Sequence, residues 1–306
     1  MREVIWSQWD SLDVPPGFTR LSPSNTDLES ADLSNINFYV PQYMGGKKAL
    51  EYSRKMTALA YLQVPNAGFD DALEYLRPGV VLCNARGVHD ASTAELAIGL
   101  AIASRRGFAD FAKSQGQGLW QHKRYSSFND SKVAILGAGS IASTLKLYLE
   151  PYDLTIDLFS RSGGNGSRLI SEFDNHASEF DIIFLMLPLN DESRKFFNKA
   201  RLSLLKDGAV IVNVARGGII DTEALVAELN SGRLFAGLDV TDPEPLPFAH
   251  PLWSARNCII SPHVGGDSTA FDSRGKRFVE EQLRLLASGQ ELLNIVARGP
   301  LISASK

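Results

Sequence analysis

Residues 131–149 have the sequence SKVAILGAGSIASTLKLYL, and this stretch decides the fold of the chain. The apolar run VAIL at 133–136 is typical of a short strand that is buried on both faces of a parallel sheet. Gly137-Ala138-Gly139 follows at once, and apolar residues then recur every four positions from Ile141 to Leu149. The pattern therefore predicts a strand, a tight glycine turn and a helix.

A turn of this kind suits the pyrophosphate of a dinucleotide. Gly137 permits the bend, Gly139 lets the backbone approach the phosphates, and the small Ala142 lets the helix pack against the strand. The free N–H groups at the helix start, at Ser140 and Ile141, face the phosphates together with the positive end of the helix dipole. A purely structural loop is the alternative, but the change of period across the turn favours dinucleotide binding.

Length and composition are those of an ordinary globular protein with two domains. The chain has 306 residues, of which 44% are hydrophobic and 22% charged, and its formal net charge is −4. This charge gives no reason to expect a nucleic acid or an anionic membrane as a partner. We find no segment typical of a signal peptide or a membrane span. Cys83 and Cys258 lack metal-ligand spacing, so we expect reduced thiols, no metal site and a cytoplasmic location.

The part of the chain before the glycine turn alternates between short strands and helices. Strands are predicted at 37–40 and 58–64. The loops that follow them, PQYMGG and PNAGFD, are either one wall of a cleft or plain connecting loops. Residues 91–106 predict a helix that Ser92 or Thr93 can cap. The polar segment 107–130 predicts an irregular stretch, which is either an arm that docks on a second subunit or a simple surface excursion, and the interpretation favours the arm.

The same alternation continues after the turn, and it defines the domains. Helices are predicted at 222–230, with Asp221 as the N-cap, and at 277–287. The further strands are predicted at 154–159, 181–187, 209–214, 234–240 and 258–260. Strands that alternate with helices form a parallel sheet covered on both faces. We therefore predict an α/β protein with a doubly wound domain at 92–267 and a second domain formed by 1–91 with 268–306.

The end of the strand at 154–159 bears on the choice of dinucleotide, because it meets the adenosine ribose in such folds. Asp157 lies inside the strand, where a contact with the ribose 2′-hydroxyl is not expected. Arg161 follows the strand between Ser160 and Ser162, and this group of donors suits a 2′-phosphate. The interpretation favours NADP over NAD, although a solvated loop arginine would leave the choice open.

Three later segments each follow a predicted strand of the same sheet and carry chemically active side chains. They are NVARGGIIDTEAL from Asn213, AGLDVTDPEPLPFAHPLW from Ala236 and SPHVGG from Ser261. With the preceding NARGVHDASTAELA and the glycine turn, their order and spacing resemble those of the D-isomer-specific 2-hydroxyacid dehydrogenases. The residue sequences of the motifs are similar to those of uncharacterised actinobacterial members of that family.

The resemblance implies a Rossmann-type doubly wound domain and a smaller flavodoxin-like α/β substrate domain. It implies that Arg216 binds the substrate carboxylate and keto oxygen, and that His263 is the acid/base paired with Glu244. Among the residues that bind the cofactor it implies Pro188, Val214, Ala215, Asp239 and Gly265. Residue chemistry agrees, because reduction of a 2-keto acid needs a cation for the carboxylate and a proton donor beside the oxygen that gains charge.

The expected activity is therefore the transfer of a hydride between NADPH or NADH and a small 2-keto acid such as glyoxylate or hydroxypyruvate, by a homodimer. Family formate dehydrogenases carry glutamine at the position of Glu244, which argues against formate. A phosphoglycerate dehydrogenase-like enzyme is one alternative, and Lys47 with Lys48 could meet a phosphate. The other alternative is a corepressor-like protein that senses NAD(P). Whether Trp253 shapes the substrate pocket or only packs is left open.

Overall fold

The computed structural model describes residues 3–164 and 166–300. They form two compact units, one made of 3–89 with 269–300 and the other of Asp90–Ser268. No helix in these described ranges is long and apolar enough to cross a membrane.

Strands and short helices alternate throughout both units. The strands are β1 (Glu3–Trp6), β2 (Phe18–Leu21), β3 (Phe38–Tyr39), β4 (Tyr61–Gln63), β5 (Val81–Cys83), β6 (Ser131–Leu136), β7 (Leu154–Ser160), β8 (Ser167–Leu169), β9 (Ile182–Leu185), β10 (Val210–Asn213), β11 (Phe235–Leu238), β12 (Cys258–Ile260) and β13 (Ile295–Arg298). The α-helices are α1 (Gly46–Glu51), α2 (Asp90–Arg105), α3 (Phe108–Gly116), α4 (Ser140–Leu149), α5 (Lys199–Leu204), α6 (Thr222–Asn230) and α7 (Phe271–Ala287). Single-turn and two-turn 3₁₀ helices lie at Tyr52–Lys55, Asp70–Tyr75, Ile170–Asn175, Ala177–Glu179, Gly217–Ile219 and Pro251–Ser254.

The Asp90–Ser268 unit is built on a parallel seven-stranded sheet in the order β12-β11-β10-β9-β6-β7-β8. The chain leaves β6 toward β7 on one side and returns to β9 on the other, which is the strand order of a Rossmann-type sheet. The four residues of β9 and the four of β10 are all buried, as expected for strands covered on both faces. Two separate hydrophobic clusters cover the two faces of this sheet.

The other unit contains a six-stranded sheet in the order β13-β5-β4-β3-β1-β2. All neighbours are parallel except β13, which pairs antiparallel with β5. The order β2-β1-β3-β4-β5 is that of flavodoxin-like proteins. The predicted α/β fold with two parallel sheets is therefore confirmed.

Several predicted elements differ from the observed ones in position or type. Residues 107–130 were expected to be irregular, but they contain α3, which begins directly after Gly107 with its φ of 69°. Asp110 in its first turn and Lys113 in its last match the helix dipole. These charges favour a helix, whereas the polar composition had predicted irregular structure. The expected capping of α2 by Ser92 or Thr93 is wrong, because the helix already begins at Asp90.

Other local predictions agree closely with the structure. The α6 helix spans the predicted residues, and Asp221 caps it by accepting a hydrogen bond from the Ala224 N–H. The β12 strand also has the predicted bounds. The strands β10 and β11, on either side of α6, are shorter than predicted. Apolar residues continue past the last hydrogen bond between the strands into the loops that carry the candidate site.

Candidate active site

The strand register brings the candidate residues to one edge of the seven-stranded sheet. Leu136 is opposite both Phe159 and Leu185. Asn213 is opposite Leu185 and Leu238, and Leu238 is opposite Ile260. These strand ends form a row, and the predicted residues follow it within a few positions: Gly137, Gly139, Ser140, Ile141, Arg161, Ser162, Pro188, Val214, Ala215, Arg216, Asp239, Glu244, His263 and Gly265. In open α/β sheets ligands bind at this edge, beside the point where the strand order reverses.

The glycine turn is shaped to admit a ligand over its backbone. Gly137 has a φ of 124°, and a Cβ there would lie 2.5 Å from the Met186 carbonyl oxygen, so that only glycine fits. A Cβ on Gly139 would meet no atom within 4 Å, so the space beside its backbone is open. The α4 helix starts at Ser140 without a side-chain cap, and its first N–H groups therefore lack intrahelical partners. Open space and free donors at a helix N-terminus fit a pyrophosphate.

Arg161 lies on the loop between β7 and β8, and its side chain is exposed. Its guanidinium forms no hydrogen bond or ion pair with residues 3–164 or 166–300. The buried Ser160 hydroxyl is already used by Ser167 Oγ at 2.7 Å, whereas Ser162 is exposed. Asp157 lies within β7 and forms ion pairs with Lys132 at 3.9 Å and Arg168 at 3.6 Å. The loop between β7 and β8 thus carries the unpaired Arg161 guanidinium among the described residues and has no acidic side chain.

His263 and Glu244 form a direct pair in which the His263 Nδ1–H donates to Glu244 Oε1. The two side chains are 35% and 39% exposed, so the pair is open on one side. Nδ1 is the only ring nitrogen of His263 that bonds to the described residues. The remaining nitrogen, Nε2, makes no hydrogen bond to these described residues.

Contacts around this pair shift both pKa values in opposite directions. The hydrogen bond that His263 donates to Glu244 raises the pKa of His263, and the Glu244 charge adds to this, against the opposing effects of burial and of the Arg216 charge. Burial alone would raise the pKa of Glu244, but the hydrogen bond and charge of His263 outweigh it and lower that pKa. The pair therefore favours an imidazolium beside a carboxylate.

A buried asparagine that the sequence analysis did not single out shapes the turn that carries Arg216. Asn213 Nδ2 donates to the Arg216 carbonyl at 2.9 Å, and its Oδ1 accepts from the Ala215 N–H at 3.1 Å. Arg216 Nη1 donates to the Ala215 carbonyl at 2.8 Å. A Cβ on Gly217 would lie 2.0 Å from the Thr241 carbonyl, so this loop and the one after β11 pack closely. The role of Asn213 in shaping this turn is recognised only from these hydrogen bonds in the three-dimensional structure.

Asp239 lies behind the His263 loop with its side chain buried. Its Oδ1 accepts from Ser261 Oγ at 2.7 Å and from the Val264 N–H at 2.9 Å, and its Oδ2 accepts from the Gly265 N–H at 2.8 Å. A Cβ on Gly265 would come within 2.8 Å of Asp239 Oδ2. Asp239 and Gly265 therefore fix the backbone on both sides of His263, and Ser261 is a further contributor that the motif alone did not reveal.

The remaining candidates lie on the same edge with differing exposure. Val214 is buried, whereas Pro188 is exposed and its carbonyl accepts from Ser193 Oγ at 2.6 Å. Trp253 is mostly exposed, and its indole N–H donates to the Pro247 carbonyl at 2.9 Å.

Comparison with known proteins shows which family and which relatives this chain resembles. Residues 98–265 match the family model described as "D-isomer specific 2-hydroxyacid dehydrogenase, NAD binding domain". The chain is 31% identical over 302 residues to an uncharacterized protein in the proB 3′ region of Corynebacterium melassecola, and the match covers 94% of each protein. It is 28% identical to a glyoxylate reductase of Aeropyrum pernix, with 95% of this chain and 89% of the relative covered.

A solved structure has the same overall architecture. It is a protein from Aeromonas salmonicida that is described as a D-isomer-specific 2-hydroxyacid dehydrogenase family protein. It superposes with a TM-score of 0.84 at 25% identity, covering 97% of this chain and 99% of that one.

Proposed function

The chain belongs to the family of D-isomer-specific 2-hydroxyacid dehydrogenases, and we propose that it is a reductase of small 2-keto acids that uses the Arg216, Glu244 and His263 cluster. The reaction is a hydride transfer between NAD(P)H and a 2-keto acid or D-2-hydroxy acid. Bound nicotinamide supplies the hydride. The chain itself supplies the charge, the proton and the orientation that the transfer requires.

Arg216 binds the anionic end of the substrate. Its guanidinium has a planar fork of positively charged N–H donors that matches a carboxylate. The same charge stabilises the keto oxygen as negative charge develops on it. Asn213 fixes the backbone that carries this side chain, so the guanidinium is oriented before the substrate arrives.

His263 donates the proton. Its Nδ1–H is held by Glu244, so Nε2 carries the proton that passes to the oxygen formed from the keto group. The raised pKa of His263 keeps this proton in place near neutrality. In the reverse direction, neutral His263 accepts the proton from the hydroxyl group of the substrate.

The turn between β6 and α4 is proposed to hold the pyrophosphate of the cofactor through Gly137, Gly139, Ser140 and Ile141. The proposed contacts with the remaining parts of the cofactor come from Pro188, Val214, Ala215, Asp239 and Gly265. The free Arg161 guanidinium and the exposed Ser162 hydroxyl favour a 2′-phosphate, and thus NADPH over NADH. The open space over Gly139 supports the proposed binding mode.

The pairing of His263 with Glu244 at the strand edge that carries Arg216 is the observation on which this function depends. The test is the loss of reduced-nicotinamide absorbance with the purified protein, with NADPH and NADH in parallel, against glyoxylate, hydroxypyruvate, pyruvate and phenylpyruvate. We expect turnover of at least one acid and a higher kcat/KM with NADPH. Binding of both cofactors without turnover of any 2-keto acid would refute the reductase and favour a sensing role.

We assign substrate binding to the unit of residues 3–89 with 269–300, and dinucleotide binding to Asp90–Ser268. Within the first unit, Lys48 pairs with Glu29 at 2.7 Å and Lys47 lies 4.0 Å from Glu74. Both lysines are exposed and lie beside carboxylates, so neither gives specific support to a phosphate site. Adding 3-phosphohydroxypyruvate to the assay tests the phosphoglycerate dehydrogenase-like alternative.

We further propose that the protein is a homodimer that pairs through the segment 107–130. Trp120 is 99% exposed, and three more large apolar side chains of this segment are also exposed: Phe108, Phe111 and Leu119. A monomer would leave this apolar surface in water. Sedimentation equilibrium should give a dimer for the native chain and a weaker dimer for Trp120→Ser. A native monomer at micromolar concentration would refute the pairing.

A cytoplasmic location is proposed from the thiols. Cys83 and Cys258 are free, and burial raises the pKa of each to about 12. Unreactive free thiols fit a reducing compartment.

A further inference from the structure

The loop at 241–244, which carries Glu244 to the site, has little backbone support of its own. Pro243 and Pro245 lack an N–H group, so they cannot donate to the neighbouring backbone. Among residues 3–164 and 166–300, no backbone N–H donates to a carbonyl group of this loop. The position of Glu244 must therefore be fixed by contacts of another kind.

Hydroxyl groups supply two of these contacts. Thr222 Oγ1 donates to the Asp242 carbonyl at 2.9 Å, and Thr241 Oγ1 donates to the Pro243 carbonyl at 2.9 Å. A carbonyl only accepts, so each hydroxyl must be the donor. The second bond is internal to the loop, whereas the first connects the loop to α6, 20 positions earlier in the chain. Thr222 therefore ties the loop to a helix.

Thr222 is itself held in place. It is half-buried and is the first residue of α6. Asp221 caps this helix through the Ala224 N–H and pairs with Lys195 Nζ at 3.1 Å. The branched Cβ of threonine restricts χ1, and the cap orders the start of the helix. The hydroxyl is therefore presented to the loop in a defined direction.

The contacts of this loop lie close to Glu244 in the chain. Asp242 is two residues before Glu244, and the Thr241 N–H donates a hydrogen bond that helps to lower the pKa of the Glu244 carboxyl. A Cβ on Gly217 would lie 2.6 Å from the Asp242 nitrogen, so the Gly217 backbone packs directly on this peptide. The Asp242 backbone is thus closely approached at its nitrogen by Gly217 and held at its carbonyl by Thr222.

We propose that Thr222 is a positioning residue for acid/base catalysis: its hydroxyl fixes the Asp242 carbonyl, so that the loop holds Glu244 where His263 donates to it. This proposal depends on the function proposed above. The orientation of the carboxylate matters because a hydrogen bond weakens steeply as its angle departs from linearity. Loss of the hydroxyl therefore acts on the protonation of His263 and on kcat. It does not act on KM for the acid or on the affinity for NADPH.

Two variants and a control isolate the hydroxyl. Thr222→Val removes it and keeps the branched shape, and Thr222→Ser restores it. The matched control is Thr57→Val in the other unit, where an exposed hydroxyl likewise donates to a carbonyl, that of Ser34, at 3.2 Å. All these proteins retain the charged groups that act on His263, which are Glu244, Arg216 and Asp239.

We expect Thr222→Val to lower kcat for reduction about three- to tenfold above neutrality, which is the range for the loss of one neutral hydrogen bond. Its kcat should decline at lower pH than that of the native protein, because a displaced Glu244 stabilises the imidazolium less. KM for the acid and Kd for NADPH should be native, and Thr222→Ser and the control should be native-like throughout. In the Glu244→Gln background, Thr222→Val should change kcat less than about twofold, because both substitutions act through the same carboxylate.

An NMR titration of the His263 ring separates this proposal from the function on which it depends. If the native protein reduces no 2-keto acid, the proposed function fails, but the pKa of His263 should still be lower in Thr222→Val than in the native protein. An equal pKa in the two proteins would overturn the positioning role. A loss of kcat that is uniform over pH, or equally large in the Glu244→Gln background, would also overturn it.

Discussion

The substitution Glu244→Gln tests the proton donor most directly, because it removes one charge and leaves the shape of the side chain. The hydrogen bond that His263 donates to Glu244 is the main cause of the raised pKa of His263. Glutamine can still accept from Nδ1 but no longer stabilises the imidazolium by charge. The pKa of His263 must therefore fall in the variant.

The sign of the effect follows from the direction of the reaction. Reduction of a keto acid needs protonated His263, so kcat/KM declines as pH rises through its pKa. In Glu244→Gln this decline begins at lower pH. Oxidation of the hydroxy acid needs neutral His263, so its rising limb also moves to lower pH. The two directions of one reaction should thus respond oppositely above neutrality.

The size of the effect is limited by the exposure of the pair. A hydrogen bond to a charged group contributes about 1.5–3 kcal/mol. Because the side chains are 35% and 39% exposed, solvent screens the interaction and the lower value applies. We expect kcat/KM for reduction to fall about tenfold above neutrality, since ~1.4 kcal/mol is a factor of ten. In acid the variant should come within about threefold of the native enzyme, because both are then protonated.

The assay is a pH series of initial rates in both directions, with a matched pair elsewhere in the same unit as the control. His176 Nδ1 donates to Glu179 Oε1 at 2.8 Å, and these side chains are 34% and 41% exposed. Glu179→Gln therefore makes the same chemical change in a similar pair that faces no proposed ligand. Its pH profile should equal that of the native protein. A uniform loss of rate at every pH in Glu244→Gln, without a shifted profile, would show that Glu244 does not act through the protonation of His263.

Three further substitutions have defined outcomes. His263→Ala should lower kcat about 10²–10⁴-fold in reduction, while fluorescence titration gives a native Kd for NADPH; retained turnover would remove its role as acid. Arg161→Ala should raise KM for NADPH about 10- to 100-fold, since charge-assisted bonds to a phosphate are lost, and an equal rise for NADH would contradict a 2′-phosphate site. Gly137→Ala places a Cβ 2.5 Å from the Met186 oxygen at a φ of 124°, so calorimetry should show Tm lowered by at least about 4 °C; a native Tm with native NADPH affinity would contradict this account of the turn.

The sequence was most informative where one local pattern specifies one structure. The change from a continuous apolar run to a four-residue period marks β6 and α4, and the bounds of α6 follow from Asp221 and the apolar positions behind it. The strands β1 and β2 were not predicted, because four residues are too few for a period to stand out. The strand β13 was missed for a further reason, since its antiparallel partner β5 is more than 200 residues earlier in the chain.

The motifs predicted which side chains lie at the sheet edge but not how the backbone holds them. Asn213 and Ser261 look like ordinary polar residues in the sequence, and their importance comes from the partners that folding supplies. The Ser261–Asp239 bond joins residues 22 positions apart and leaves no local pattern, whereas Asn213 bonds to near neighbours in a turn whose shape only the three-dimensional structure shows. The contacts of His89 and Asn84 with the 65–68 loop join residues 24 and 17 positions apart and likewise leave no local pattern.

The backbone of His263 connects these observations. Its φ of 54° lies in the left-handed region, which a non-glycine residue adopts at a cost of about 1–3 kcal/mol. Such a conformation persists only where the surroundings determine it, and here Asp239 accepts hydrogen bonds from the N–H groups of the next two residues, Val264 and Gly265. The His263 N–H donates in turn to the Asp239 carbonyl at 2.8 Å. The strained backbone turns the ring toward Glu244. The hydrogen bonds to the buried Asp239 offset the free-energy cost of this conformation, which orients the proton donor. This explains why the loop needs glycine at 265, where a side chain would displace the carboxylate that holds it.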